Sequence, residues 1–500
     1  MTPAPLFRDL KEFSPLENGY RLLPFRFMEF GPQMLLVNEV GEHEYIPREH
    51  FDAFVSHRLP GESDTYLNLK AKHFLSDSSV DDAISLLATK YRTKRHFLDA
   101  FTRLHIFVVT LRCDTSCHYC QVSRVSANRT KYDMTRDSAD RALDLVFRSP
   151  APTIKIEYQG GEPLLNFELI KYITIEGKRR NVTIGKDLQF VVTTNLSGVS
   201  EAILSFLAAE GVWVSTSLDG PKELHNANRP RPDNDAYQLT IRGIDMVRQV
   251  MGHDAVSALM TTTRLSLTHP EEIVDEYAAR GLSHIFLRPL SPYGFAVKTQ
   301  KTTGYALEDF LVFYKRALGH IIEINRAGGN LTEVYAQILL TKILTPFATG
   351  YVDLQSPAGA GIGVVVYNYD GDVYVSDEAR MLAEMGDRTF RLGNVHRDTY
   401  EGMFGGALLK SLVASSCVES LPGCSECAFQ MYCGADPIEN YVTQGDIVGH
   451  RPTSSFCGRN MSIIKHLLAL YHGEDEFVRR LFWSWVQNVP VGLLLPAVPE

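Results

Sequence analysis

Three cysteines, Cys113, Cys117 and Cys120, stand within eight residues, spaced x3 then x2, directly after the apolar run Leu104 to Leu111. Three thiolates in one tight loop after a strand suit a [4Fe–4S] cube held through three irons, with the fourth iron open to a ligand. Zinc sites prefer ligands completed to four and disulfide frameworks an even count, so a structural zinc loop fits less well. A second group lies far downstream: Cys417, then Cys424-x2-Cys427-x5-Cys433, and Cys457. That spacing with a distant fourth cysteine is a strong metal signal, for which zinc and iron–sulfur both stay open. Cys417 could be an inert thiol, a substitute ligand or a redox partner.

Other residues with chemical potential fall at the ends of apolar runs. Thr153–Gln159 runs into Gly160-Gly161-Glu162-Pro163. Two glycines let a backbone come close to a ligand, and the carboxylate beside them can hold an ammonium group. Further runs end in Thr193-Thr194-Asn195 and in Ser217-Leu218-Asp219-Gly220, followed by Arg229 and, later, by Arg288. Arg229 could pair with a carboxylate, and Arg288 could face a cofactor or a substrate. Taken singly, each is ordinary turn chemistry or a surface charge. In series at successive strand ends they favour an enzyme.

The elements that would position them can be read from periodicity. Six β-branched apolar runs (Leu104–Leu111, Thr153–Gln159, Leu188–Thr194, Val212–Leu218, Ala258–Leu265 and Ile285–Leu290) alternate with helical stretches at Thr135–Arg148, Leu164–Arg179, Gly198–Glu210, Ala236–Met251 and Pro270–Gly281. Continuous apolarity predicts strands buried on both faces, and six β/α units in series predict an α/β partial TIM-type barrel. Chemistry in such sheets sits at the carboxyl ends of the strands, where the cysteine loop departs. Before this region, residues 20 to 47 predict an antiparallel meander, and Arg48–Arg58, Leu67–Leu75 and Asp81–Thr102 predict helices. The expected organisation is a small α+β N-terminal domain (1–100), a core (101–300), a helical connector (301–350), a cysteine-rich domain (351–460) and terminal helices (461–500). Trp483 and Trp485 are expected to pack within those last helices.

Composition narrows the class. The chain has 500 residues, 45% hydrophobic and 22% charged, with net charge −9 and no long basic run, so nucleic-acid binding is not expected as its main activity. Met1 to Leu10 lacks an apolar h-region, and Pro490 to Pro499 is short and broken by prolines, so neither a signal peptide nor a membrane span is expected. Cysteines clustered in a chain without secretion signals read as metal ligands in a reducing cytoplasm, used at low oxygen.

The CxxxCxxC motif with Tyr119 before its last cysteine, followed one β/α unit later by Gly160-Gly161-Glu162-Pro163, resembles the signature of the radical S-adenosylmethionine (SAM) enzymes. The resemblance implies that Cys113, Cys117 and Cys120 hold a [4Fe–4S] cluster whose open iron chelates SAM. It implies SAM contacts from Tyr119, Gly160, Gly161, Glu162, Thr194, Asn195, Ser217, Asp219, Arg229 and Arg288, and reductive cleavage to a radical that abstracts hydrogen. Over residues 104 to 460 the arrangement is similar to the SPASM/twitch branch, whose members carry auxiliary Fe–S clusters in a C-terminal domain. Where that branch has cysteines for an inner auxiliary cluster, this chain has Ala358, Ser376 and Pro437. The resemblance therefore implies one auxiliary [4Fe–4S] cluster, on Cys424, Cys427, Cys433 and Cys457. In sulfatase-maturing relatives an aspartate at the position of Asp377 acts as the base; the other reading is that Asp377 caps the following helix.

Further elements resemble the radical SAM maturase of the His-Xaa-Ser system (HxsB): Leu23-Pro24-Phe25-Arg26-Phe27, Ser376-Asp377-Glu378-Ala379-Arg380-Met381-Leu382 and Cys433-Gly434-Ala435-Asp436-Pro437. This implies a ribosomally made precursor peptide as substrate, an electron donor such as flavodoxin or ferredoxin, and other Hxs-system proteins as partners. The N-terminal domain loosely resembles leader-peptide recognition domains; a plain packing cap is an equal reading. Rival readings are another radical SAM enzyme acting on a protein side chain or small molecule, and a non-catalytic Fe–S or zinc scaffold.

Overall fold

The computed structural model describes residues 19–77, 80–120 and 129–494. The readings of Met1 to Leu10 and of the last residues of Pro490 to Pro499 lie outside them. The chain forms two compact units: Met1–Phe97 with Thr341–Thr349 and Pro422–Tyr432, and Leu98–Leu340 with Gly350–Leu421 and Cys433–Glu500. No helix among the described residues is long and apolar enough to cross a membrane.

In the first unit, strand β1 (Arg21–Leu22) leaves the meander at Leu23-Pro24, where proline supplies no amide for a ladder. Strands β2 (Phe25–Phe30), β3 (Gln33–Asn38) and β4 (His43–Pro47) form an antiparallel sheet with β3 in the centre. The turn into β4 is closed by Asn38, whose Oδ1 accepts from the amides of Val40 and Glu42, both at 3.0 Å. β1 pairs instead with β5 (Leu75–Ser76). Three helices follow, at Arg48–Val55, Asp64–Ala71 and Val80–Arg95, the second capped by Ser63. Leu36, Ile46, Phe51, Phe54, Leu69 and Phe74 form the core.

The second unit is built on β6 (Leu104–Thr110), β7 (Thr153–Gly160), β8 (Asp187–Thr193), β9 (Val212–Ser217), β10 (Val256–Thr261) and β12 (Leu287–Arg288). They pair in parallel in that order, one β/α unit after another. β11 (His284–Ile285) leaves the sheet to pair with β13 (Thr332–Glu333), so the sixth strand is shorter than its apolar run suggests. Beyond β6 the sheet continues with β14 (Val364–Tyr367), parallel to β6, then β15 (Asp372–Tyr374) and β16 (Arg391–Asn394), both antiparallel. The sheet has nine strands in all, with the glycine-punctuated hairpin forming one edge.

The expected continuous burial holds for β6, where His105 to Thr110 are all buried, but not for β7. There Ile154, Ile156 and Tyr158 are buried against helices Arg136–Arg148 and Phe167–Ile184, while Lys155, Glu157 and Gln159 on the other face stay half-buried. Helices cover one side of the partial barrel; the concave side keeps its polar groups for one another, as in the 2.9 Å bond from Thr193 Oγ1 to Glu157. Helices Leu307–Arg326, Ser455–Tyr471 and Glu476–Gln487 complete this unit. Trp485 is buried in the last of them, and Trp483 donates to the Tyr471 hydroxyl at 3.2 Å.

Candidate functional site

The cysteine loop begins where β6 ends, and its root is fixed by charge. Arg112 grips Asp133 with two nitrogens, at 2.7 and 2.8 Å, and the Thr110 hydroxyl donates to the same carboxylate at 2.6 Å. Further along, backbone bonds clamp the loop: Ser116 N–H donates to Pro230 O at 3.0 Å and His118 N–H to Asn228 O at 3.1 Å. Asp114, between the first two cysteines, accepts from Asn195 at 2.8 Å, from Arg231 at 2.6 Å and from the Ser197 hydroxyl. Burial pushes the Asp114 carboxyl up, but these hydrogen bonds outweigh it and hold it below the usual range.

The three thiols are half-buried on this loop. Burial raises Cys113 and pushes Cys117 up to about 12, against the pull of the Arg229 charge. The bare thiols of Cys113 and Cys117 stay protonated, so loading a metal would release their protons. Among the described residues, no three His, Cys, Asp or Glu side chains are grouped tightly enough for a single ion. Three thiols on one loop suit a cube with an open fourth iron better than zinc, which is usually completed to four ligands.

Gly160 and Gly161 sit where β7 crowds this root. A Cβ on Gly160 would lie 2.1 Å from Thr110 O, and one on Gly161 would lie 2.2 Å from Arg112 O. The room these glycines make is taken by the backbone beneath the cysteine loop. Glu162, expected to hold an ammonium group, is 1% exposed. It accepts from the Thr194 hydroxyl at 2.6 Å, Leu164 N–H at 3.0 Å and Asn195 N–H at 2.8 Å. Burial raises it to about 7, with those bonds pulling it back. Glu162 thus ties the ends of β7 and β8 together, and Thr194 and Asn195 are its partners.

Asp219 and Arg229, expected at ribose hydroxyls and at a carboxylate, spend their charge on each other at 3.0 Å. Asp219 also accepts from the Tyr119 hydroxyl at 2.6 Å and from Thr261 N–H at 3.3 Å, and Arg229 lies 5.3 Å over the Tyr119 ring. This buried knot joins the cysteine loop to the ends of β9 and β10. Ser217 stands half-buried as the last residue of β9. The auxiliary cysteines divide: Cys424 and Cys427 belong to the first unit, Cys433 and Cys457 to the second.

A cavity of about 550 Å³ opens next to Arg288 at the end of β12. Arg288 and Arg459 line it, with Asp353, Glu378, Asp436 and Glu439, and an apolar wall of Phe286, Leu290 and Phe310. Sequence reasoning did not single out these four carboxylates, which come from three separate segments; Glu378 and Asp436 stood inside the motifs Ser376-Asp377-Glu378 and Cys433-Gly434-Ala435-Asp436, without a role of their own. Asp377 does not cap the helix that follows it. The cap of helix Asp377–Glu384 is Ser376, whose side chain accepts from Ala379 N–H at 3.2 Å, and Asp377 pairs with buried Arg380 at 3.1 Å. Its neighbour Glu378 lines the cavity. Burial raises Glu378 to about 7, helped by the charges of Asp353 and Asp377.

Residues 107–277 match the Radical SAM superfamily. The chain is 29% identical over 188 residues to an uncharacterised protein of Methanocaldococcus jannaschii, covering 37% of this chain and 62% of that one, so it spans less than two thirds of that relative. It is 25% identical over 309 residues to the cysteine-type anaerobic sulfatase-maturating enzyme of Clostridium perfringens (strain 13 / Type A), covering 58% of this chain and 77% of that one. In fold it resembles native anSMEcpe with bound AdoMet, with TM-score 0.63 and 17% identity, over 77% of this chain and 100% of that one. Streptococcus suis SuiB bound to the precursor peptide SuiA gives TM-score 0.50 and 14% identity, over 87% and 99%. At these identities both structures speak for the fold, a partial TIM-type radical SAM sheet with a cysteine-rich C-terminal region. S-adenosylmethionine and a [4Fe–4S] cluster are the cofactors of this domain. The match to the Radical SAM superfamily is thus carried by residues 107–277, the domain that holds the cysteine loop.

Proposed function

We propose that this enzyme is a peptide-modifying maturase. The observation that carries the reading is the clamped loop of three half-buried thiols at the carboxyl end of β6, in the same unit as a cavity of about 550 Å³ large enough for a side chain. Cys113, Cys117 and Cys120 would hold the [4Fe–4S] cluster, which with SAM supplies a hydrogen-abstracting radical. Around it the chain's residues position and shield. Tyr119, Asp219 and Arg229 fix the loop; Glu162 with Thr194 and Asn195 holds the neighbouring strand ends; Gly160 and Gly161 let β7 close on the loop's root. Ser217 and Arg288 complete the rim toward SAM and substrate. Cys424, Cys427, Cys433 and Cys457 would carry one auxiliary [4Fe–4S] cluster.

The substrate is a ribosomally made peptide, as SuiA is for SuiB, and the HxsB-like motifs point to His-Xaa-Ser repeats and side-chain crosslinking. The work is cytoplasmic, with a flavodoxin or ferredoxin as electron donor and other Hxs-system proteins as partners. The proton acceptor is one of two adjacent carboxylates: Asp377 by resemblance, Glu378 by its place on the cavity wall. The match to a sulfatase-maturating enzyme supports a second reading, a protein side chain as substrate. Anaerobic coexpression with a short His-Xaa-Ser peptide, read by mass spectrometry, tests the choice. A crosslinking mass loss of 2 Da per site supports the peptide reading (about two hydrogens removed); an unmodified peptide from iron-loaded, SAM-cleaving enzyme sinks it.

A further inference from the structure

The cavity beside Arg288 has a charge imbalance that a single proton acceptor does not explain. Asp353, Glu378, Asp436 and Glu439 face it against two cations, Arg288 and Arg459. Arg459 approaches Glu439 only to 3.9 Å. The carboxylates are half-exposed or nearly buried by surface, because the space they face is the cavity; around it they are enclosed by protein. Burial and mutual repulsion raise Asp436 well above the usual range, and burial raises Asp353. Asp436 caps helix Pro437–Gln444 through one oxygen, accepting from the amides of Ile438 and Glu439 at 2.9 Å each.

A second observation is independent of the acids. Tyr293, 2% exposed, lines the same cavity, and its hydroxyl has no hydrogen-bond partner among the described residues. A buried hydroxyl left unpaired is costly and rare, so its position is explained if a ligand completes it. The charges nearest its phenol are those of Asp436, Glu378, Glu439 and Asp353. A group with several N–H donors would satisfy the carboxylates and the phenol oxygen together.

We infer that this cavity binds a cationic side chain of the polypeptide substrate, an ammonium, guanidinium or imidazolium group, held by Glu378, Asp436 and the Tyr293 hydroxyl. The inference rests on the maturase reading and narrows it to substrates that carry a basic residue at the site of entry. An aromatic-walled recess with a few converging polar groups is the usual form of such a site. Cation and carboxylate would support each other, since a bound cation favours ionised Glu378 and Asp436.

The test uses the reconstituted full-length enzyme with SAM, under anaerobic conditions. Four synthetic peptides, Ac-Gly-Xaa-Gly-NH2 with Xaa as Lys, Arg, His or Gln, are titrated by calorimetry at pH 6, where imidazole is largely charged. At least one basic peptide should bind about tenfold tighter than the Gln peptide, as a charge-assisted contact implies. The preference should fall to within about twofold in Glu378→Gln/Asp436→Asn, and Tyr293→Phe should weaken the basic peptide several-fold. Equal binding of all four peptides by the unaltered enzyme, or tighter binding of Gln, overturns the inference without reliance on any variant. Reductive SAM cleavage is measured in the same samples. If SAM is cleaved but no basic peptide is preferred, this inference fails and the radical SAM reading stands; if SAM is not cleaved, the maturase reading fails first.

Discussion

Replacing Asp219 by Asn should loosen the cysteine loop, and the size of the effect follows from the geometry. The Asp219 side chain is 0% exposed and that of Arg229 11%, with their atoms 3.0 Å apart. At an effective dielectric near 20 that separation gives an attraction of about 5.5 kcal/mol before desolvation is counted. Removing one charge from a buried pair costs about 3–5 kcal/mol, since the other is left buried and uncompensated. Asn keeps the shape and can still accept from Tyr119, so about 3 kcal/mol is the fair expectation for Asp219→Asn. The loop reports it directly, because Ser116 and His118 donate to Pro230 and Asn228, the two chain neighbours of Arg229. Hydrogen exchange at those two amides should speed up by about 100-fold, at 1.4 kcal/mol per factor of ten. Arg229→Met should do similar harm alone, and the double variant Asp219→Asn/Arg229→Met should recover much of the protection, because no orphan charge remains. Exchange within threefold of the parent in Asp219→Asn, or strictly additive losses in the double variant, would refute the claim that this pair holds the loop.

Three further outcomes are expected. Gly161→Ala puts a methyl into the carbonyls of Leu111 and Arg112, at 2.5 and 2.2 Å, so β7 and the loop root must separate; iron content per chain after reconstitution should drop by more than half, where Gly185→Ala, with open space around it, tests only the positive backbone angle. Ser376→Ala removes the cap of helix Asp377–Glu384 and should cost about 1 kcal/mol, while Ser376→Asp should not, as read by thermal unfolding. Glu378 is raised to about 7 in the fold, so folding favours its protonated form; its contribution is complete below the usual carboxylate range and is lost as pH rises through about 7. Glu378→Gln should flatten the fall in melting temperature between pH 5 and 8, and an unchanged slope would count against the enclosed position of this acid.

What could be read in the sequence is what depends on local order. Cys113, Cys117 and Cys120 lie on one loop, and β6 to β10 follow from runs of apolar residues, because strand burial and ligand spacing leave periodic marks. The same marks misled at β7, where alternating Lys155, Glu157 and Gln159 reveal a polar concave face that a count of apolar residues blurs. The glycine-punctuated stretch Asn368 to Ser376 reads as part of a hairpin, which β14 and β15 form, but a hairpin's own pattern does not say which sheet edge it will join.

The strand-end residues expose a deeper limit. Glu162, Asp219 and Arg229 were singled out correctly as unusual, but sequence cannot tell a charge that waits for a ligand from one that has found a partner in the fold. Burial decides it. A carboxylate with 0% exposure, like Asp219, must be compensated in the fold itself, and Arg229 and Tyr119 do so. The carboxylates of the cavity, drawn from segments as distant as Asp353 and Glu439, face the opposite case: two guanidinium groups serve four acids, and the phenol of Tyr293 is still unmatched. The first arrangement is closed and builds the loop's support. The second is open, and its missing charge describes what should enter.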